Sequence, residues 1–306
     1  MPIRSRKPET PARPAITKAV VPAAGRGTRL MPATRSQPKE MLPVGRKPTI
    51  QHVVEELAAS GLREVLLISG QGKRAIEDHL DRDVARNDER HQPWMDLRFF
   101  HARQTQPRGL ADAVAIAEPF AGGQPFVVAL GDSILLSRSR EPVLKRMIDV
   151  HLQRRPAATI AVEEVPREAV SRYGIVAPKG KPASRPAGKP DHVFAISGFV
   201  EKPSPSKAPS NLAAAGRYIL EPAVFDAIRR IKPGIGGELW LTDALRLLLE
   251  EGHEIICVKL RKGEHRLDIG SFFSYYQAFI EFGLTDPEHG VALRAWLRKR
   301  LRKQGS

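Results

Sequence analysis

The chain of 306 residues has one cysteine, Cys257. No internal disulfide can form, so a fold stapled by cross-links is excluded and a reducing, cytoplasmic setting is the expectation. No uninterrupted apolar run approaches the ~18 residues that a membrane-spanning helix needs. The opening residues lead into no apolar stretch, so no secretory signal is expected. There is no internal repeat. No Gly-Lys-Ser/Thr follows a glycine loop as in a Walker sequence, and the nine histidines show no H-E-x-x-H spacing. No Ser-His-Asp or Cys-His constellation stands out, which removes the usual covalent hydrolases. What is present is an ordinary globular composition, 42% hydrophobic and 27% charged. A chain of this length buries about three quarters of its unfolded surface, enough for one substantial core.

The net charge of +15 invites a nucleic-acid reading. Its distribution argues against one. Residues 1–16 carry a net +3, residues 178–192 another +3, and residues 294–306 carry +6 with no acid. Solvated tails and a loop therefore hold +12 of the excess, and the remainder is only mildly basic, as a pocket for anionic substrates would be.

From Lys18 onward apolar strands alternate with amphipathic helices. Lys18–Val21, Val65–Ile68, Leu97–His101 and Phe126–Leu130 read as strands. Ile50, Val53, Val54 and Leu57 fall on one helical face, and helices are expected around Ile76 and over Gly109–Glu118. Continuously apolar strands in such alternation predict a parallel sheet covered on both faces. The second half is less regular. Strands are expected at Thr159–Val162, Gly174–Ala177, Val193–Glu201, Ala213–Leu220 and Glu254–Leu260, with helices at about 141–154, Pro222–Arg230, Thr242–Glu251 and Ser271–Phe282. A last helix, about 287–303, lines up Leu293, Trp296, Leu297 and Leu301, a stripe expected to pack on the core or, less readily, on a second subunit. Residues 1–16 read as a flexible basic arm, 17–285 as one catalytic domain with a mobile loop at 178–192, and 286–306 as a basic C-terminal helix and tail.

Gly25-Arg26-Gly27-Thr28-Arg29 follows the first strand directly. Glycines let a backbone approach phosphates, exposed N–H groups bind anions, and Arg29 adds a forked cation. A plain strand-to-loop turn would also use such glycines. Pro38-Lys39-Glu40-Met41-Leu42-Pro43 holds a lysine on a stiff loop, a fixed positive charge suited to a triphosphate. Asp132 comes just after an apolar strand, where a parallel sheet places its ligand crevice, and with phosphates nearby it suits Mg²⁺.

Together Ala24-Gly25-Arg26-Gly27-Thr28-Arg29-Leu30 and Pro38-Lys39-Glu40-Met41-Leu42-Pro43 resemble the signature of sugar-1-phosphate nucleotidylyltransferases, in wording most similar to the bacterial branch that joins UTP to glucose 1-phosphate. The resemblance runs from Lys18 to about Leu284. It implies an α/β fold of nucleotidyltransferase type, with a Rossmann-like, mixed but mainly parallel central sheet and helices on both faces. It implies that Ala24, Gly25, Gly27 and Thr28 bind the nucleotide and that Arg29 and Lys39 act on the triphosphate. Gln104 and Gly109, five apart, would read the pyrimidine, the glycine leaving space for the ring. Asp268, in Leu267-Asp268-Ile269-Gly270, would be the second acidic metal position beside Asp132. Lys202 would grip the sugar phosphate and Glu201 would accept from sugar hydroxyls; Asn211 opens the family's next block. Gly174, after Tyr173, would leave room for the hexose.

Gly109-Leu110-Ala111-Asp112-Ala113 departs from the UTP branch and looks closer to enzymes that use dTTP. Uracil and thymine differ by one methyl, worth ~1–3 kcal/mol of discrimination, so nucleotide choice stays open at this point. The resemblance further implies Mg²⁺ as cofactor, UTP and glucose 1-phosphate as substrates, and a homo-oligomer, dimer or tetramer. A non-catalytic member of the fold is the remoter alternative.

Overall fold

The computed structural model describes residues 15–81, 92–137, 139, 141–180 and 192–304. In chain order the strands are β1 (Lys18–Pro22), β2 (Pro43–Val44), β3 (Lys47–Pro48), β4 (Glu64–Ser69), β5 (Arg98–Arg103), β6 (Phe126–Ala129), β7 (Ser133–Leu136), β8 (Ala158–Glu164), β9 (Gly174–Pro178), β10 (Val193–Glu201), β11 (Leu212–Leu220), β12 (Ile255–Lys259) and β13 (His265–Asp268). The helices are α1 (Thr49–Ala59), α2 (Arg74–Leu80), α3 (Leu110–Ala115), α4 (Glu118–Ala121), α5 (Val143–Arg154), α6 (Ala223–Arg230), α7 (Leu241–Glu250), α8 (Phe272–Thr285) and α9 (Gly290–Gln304).

Nine of these strands form one sheet in the order β5-β4-β1-β6-β11-β8-β12-β10-β9. β5, β4, β1 and β6 run parallel. β11 is antiparallel to both β6 and β8, β12 is parallel to β8, and β10 is antiparallel to β12 and β9. All but β10 and β11 therefore share one direction, as the expected mixed, mainly parallel sheet requires.

Strands buried on both sides explain the apolar runs. In β1, Val20 enters one core cluster while Ala19 and Val21 enter the other; Leu66 and Ile68 against Val65 and Leu67 of β4 do the same. Helices α3, α6 and α7 cover the first face, and α1, α2 and α5 the second. Helix α1 is held by Ile50, Val53, Val54 and Leu57, all fully buried. Burying each such side chain contributes about 1.5–3 kcal/mol.

Five expectations are corrected. The helix expected over Gly109–Glu118 breaks after Ala115, and a new turn starts at Glu118 with Pro119 in its first positions. Proline lacks the N–H that a continuous helix would need there, and is at home in a first turn. The basic arm ends earlier than residue 16: Ile16 is buried in the second core cluster, and the carbonyl of Thr17 accepts from the N–H groups of Arg63 and Glu64. Residues 1–14 lie outside the described part, as do 181–191 of the expected mobile loop. The sequence reading also missed β7 and β13, which pair antiparallel away from the main sheet.

The last two corrections concern α9 and its neighbour. The C-terminal stripe does not pack on the core. Leu293 and Leu297 are half-buried, while Trp296 and Leu301 are 55% and 66% exposed. Helix α9 instead folds back on α8, and Arg46 pins the turn between them through Asp286 at 2.6 Å and Glu288 at 2.7 Å. Helix α8 itself continues three residues beyond Phe282.

Candidate active site

The predicted residues collect at the carboxyl ends of the parallel strands. After β1 the chain turns through Gly27, whose φ of +65° suits glycine, into a single 3-10 turn at Thr28–Leu30. Thr34 Oγ1 donates to the Gly27 carbonyl at 2.9 Å, and buried Leu30 anchors the turn. A side-chain carbon at Gly25 would come to 3.7 Å from Lys39 Nζ, so the glycine loop lies directly against that ammonium. One at Gly70, after β4, would press 3.1 Å from the Ala24 carbonyl oxygen. Arg26, Thr28 and Arg29 are exposed on the rim.

Lys39 opens a second 3-10 turn, Lys39–Met41. The next residue, Glu40, is buried and ion-pairs with buried Lys73 at 2.7 Å, which locks this loop to the β4–α2 connection. The Lys39 ammonium bonds to the Asp132 carboxylate. Burial alone would favour the neutral lysine, but Asp132 and Glu40 outweigh it and raise the Lys39 pKa. Burial likewise opposes charge on Asp132, yet Lys39 holds that carboxyl below its ordinary value. Asp268 behaves oppositely: burial and then the Asp132 charge push its pKa up.

The two carboxylates meet because β7 pairs with β13. Ser133 stands opposite Asp268, and the Ile269 N–H donates to the Asp132 carbonyl at 2.9 Å. Arg217, fully buried in β11, supports this turn from below. It donates to the Ser133 carbonyl at 2.8 Å and to Glu56 at 2.8 and 3.1 Å. Beyond Asp268 the chain is fixed by a capping box between Ser271 and Ser274 that starts α8.

Two carboxylates beside a cation, with no third acid or histidine completing a cage among the described residues, form a donor set of the kind Mg²⁺ uses when substrate phosphates supply the remaining oxygens. The Lys39 ammonium on Asp132 shows that the pocket accepts positive charge there.

On the other flank β10 ends at Glu201 and Lys202. Lys202 has a φ of +44°, a strained value for a non-glycine residue, and its N–H donates to the Tyr173 carbonyl at 3.0 Å. Its ammonium lies 3.4 Å from Glu201 and over the Trp240 ring, with about half of the side chain exposed. Thr242 donates to Glu201 Oε2 at 2.5 Å. The space above Gly174 is not vacant: a side chain there would strike the Phe199 ring at 2.8 Å and Glu201 Oε2 at 3.2 Å. The glycine therefore makes room for the Phe199 ring and for the Glu201 carboxylate. Asn211 stands exposed at the entry to β11, and its side chain makes no hydrogen bond among the described residues.

Gln104 follows β5, and its N–H donates to the Ser69 carbonyl at 2.9 Å. Its amide nitrogen donates to Asp112 at 2.7 Å and to the Gly109 carbonyl at 3.2 Å. Gly109 has a φ of +105°, and a side-chain carbon there would lie 2.4 Å from the Leu239 carbonyl oxygen. Backbone packing against Leu239 demands glycine at this position.

Sequence reasoning missed Arg266, Glu163, Trp240 and Thr242, and it gave Arg217, which falls in the block that Asn211 opens, no role of its own. Buried Arg266 donates to Glu163 at 2.7 Å and stacks 4.3 Å from the Tyr173 ring centre, joining the Asp268 side of the site to the Lys202 side. Arg266 and Asp268 sit two apart, so reading 265–268 as a strand would have put both on one face.

A family model described as nucleotidyl transferase matches residues 18–282. The UTP–glucose-1-phosphate uridylyltransferase of Streptococcus pneumoniae serotype 4 is 41% identical over 295 residues, covering 92% of this chain and 95% of its own. A solved UDP-glucose pyrophosphorylase in complex with UDP-glucose superposes with a TM-score of 0.77 at 35% identity, over 87% of this chain and 98% of that one. The UTP-bound enzyme of Acinetobacter baumannii gives 0.79 at 31%, over 92% and 98%.

Proposed function

Because this chain belongs to the nucleotidyl transferase family, we propose that it transfers the uridylyl group of UTP to α-D-glucose 1-phosphate, forming UDP-glucose and pyrophosphate. The observation that carries the reading is the cluster of Lys39, Asp132 and Asp268, laid against the glycine loop. Relatives whose names specify UTP favour this donor over dTTP, and a non-catalytic role would leave those partly buried charges without a task.

The nucleophile is a phosphate oxygen of glucose 1-phosphate. Its second pKa of ~6 leaves it ionised at neutral pH, so no general base is required. It attacks the α-phosphorus; the new O–P bond forms as the bond to the β-phosphate bridge breaks, and pyrophosphate leaves with the electron pair. Positioning and charge neutralisation remain for the protein. The loop Ala24–Thr28 offers backbone N–H groups to the triphosphate. Arg29 and Lys39 draw negative charge toward the leaving pyrophosphate. Lys202 holds the attacking phosphate, its backbone fixed by Tyr173, while Glu201 and Asn211 face the sugar and Gly174 gives Glu201 its place. Gln104 and Gly109 flank the base. Asp132 and Asp268 would hold Mg²⁺, which supplies electrostatic stabilisation to the phosphate oxygens.

The buried lone thiol of Cys257 suits a cytoplasmic setting, and among the described residues no helix is long and apolar enough to cross a membrane. Residues 17–285 would be the catalytic unit and 286–306 an appended basic helix. The exposed Phe273, Trp296 and Leu301 support a homo-oligomer, dimer or tetramer, formed through α8 and α9. Pyrophosphate release over a matrix of nucleoside triphosphates and sugar 1-phosphates tests the reading. UTP with glucose 1-phosphate should give the highest kcat/KM; a better dTTP or another preferred sugar would replace it.

A further inference from the structure

Asp112 is an acid on the base side of the site for which phosphate handling has no use. It stands in the first turn of α3, three residues after Gly109 and half-buried. Its Oδ2 accepts from Gln104 Nε2 at 2.7 Å, and the Gly109 carbonyl accepts from the same nitrogen at 3.2 Å. A primary amide nitrogen carries two hydrogens, so both are engaged. A carboxylate and a backbone carbonyl accept and do not donate. Turning the amide over would set its oxygen against two other oxygens in a buried place, which is costly. The exchange of nitrogen and oxygen that is open to most glutamine side chains is thereby closed to this one.

What Gln104 has left is Oε1. Among the described residues that atom accepts no hydrogen bond, and it is not among the polar atoms sealed from solvent without a partner. The rest of Gln104 is only 6% exposed, and its backbone is tied to Ser69 at the end of β4. The start of α3 is tied down as well. The Leu239 carbonyl accepts from the Ala111 N–H at 3.0 Å, and the Leu239 N–H donates to the Arg108 carbonyl at 2.6 Å. The result is an amide oxygen whose orientation is fixed by the two bonds of its own nitrogen.

Resting on the uridylyl-transfer reading, we propose that Asp112 is a positioning residue for base selection. It holds the Gln104 amide with its oxygen toward the nucleotide, so that the pocket takes a pyrimidine whose N3 carries a hydrogen. Uracil donates that hydrogen to Oε1. Cytosine presents a lone pair at N3, which would face the Gln104 oxygen with no hydrogen between them. Thymine shares the N3–H of uracil, so Asp112 separates UTP from CTP but not UTP from dTTP.

That asymmetry supplies the test. The specificity constants of UTP, CTP and dTTP are measured with glucose 1-phosphate for the wild-type protein, Asp112→Ala and Asp112→Asn. In Asp112→Ala the amide is free to turn, and the ratio of UTP to CTP should fall about tenfold or more, because a site built on one hydrogen bond loses its power to reject the mismatched edge. The ratio of UTP to dTTP should stay within a factor of about two, since a methyl is read by shape rather than by this amide. An asparagine in place of Asp112 can still accept from Nε2 but can also donate to a turned amide. The UTP to CTP ratio of Asp112→Asn should therefore fall between those of the wild type and Asp112→Ala, and it decides the matter should the alanine variant not fold. A wild-type protein that releases no pyrophosphate from UTP would refute the uridylyl-transfer reading itself. A wild-type protein that does, with the UTP to CTP ratio unchanged in the soluble variants, would refute the role of Asp112 alone. Equal falls in both ratios would show a general loosening of the pocket and would also overturn it.

Discussion

Lys39 and Lys202 are both lysines, yet their surroundings assign them different work. Lys39 is largely enclosed between Asp132 and the glycine loop, whereas Lys202 is half-exposed and reaches over Trp240 from a strained backbone position. Alanine at either removes a charge on a flexible stem without opening the core. Lys202→Ala should raise KM for glucose 1-phosphate and lower kcat as well, because in the proposed reaction the oxygen it would hold becomes the bridging atom. Lys39→Ala should act through UTP, and in the reverse direction through pyrophosphate, with a loss of ~3 kcal/mol in transition-state stabilisation. Initial-rate kinetics in both directions check this; a reversed pattern would exchange the two roles. The types of these residues and their order were legible in the sequence. Their distances were not, because Gly25, Lys39, Asp132 and Asp268 come from four separate segments.

Among the elements, the pairing of β7 with β13 does most to build the site, and it was invisible beforehand. Each strand has only four residues, too few for a periodic pattern, and the partners lie far apart in sequence. The long apolar strands, by contrast, were easy to read, since burial on both faces leaves a continuous run. Arg217 holds β7 in place and neutralises Glu56, which is itself nearly buried. Arg217→Met should leave Glu56 uncompensated and cost about 3–5 kcal/mol, seen as a large drop in melting temperature. Adding Glu56→Met should restore part of the loss but not all of it, since the Ser133 carbonyl stays without its donor. A single variant that melts like the wild type would show that the strut is not needed. Helix α9 teaches a different lesson. Its apolar stripe predicts packing on the core or, less readily, on a second subunit, and among the described residues the helix, which lies beyond the last sheet element, folds back on α8.

For the molecule as a whole, the order of strands and helices and the carboxyl-edge location of the site follow from the alternation of segments and from the rule that open α/β sheets bind ligands at that edge. The reversed strands β10 and β11 do not follow from it, because antiparallel insertion depends on partners distant in sequence. The basic excess lies largely outside the residues that line the site. Removing residues 1–14 should leave kcat within a few-fold, whereas removal through Ile16 should also lower the melting temperature by opening the second core cluster. Loss of turnover on the shorter deletion, with circular dichroism unchanged, would tie the arm to catalysis. The central claim is that Asp132 and Asp268, with their neighbouring cations, perform metal-assisted uridylyl transfer. Its most direct test is steady-state pyrophosphate release from UTP and glucose 1-phosphate by the wild-type protein and Asp132→Asn, each with Mg²⁺ and with EDTA. Turnover should require the divalent ion, and Asp132→Asn should lower kcat by ~10²-fold or more. Undiminished turnover in EDTA, or in the variant, would contradict it.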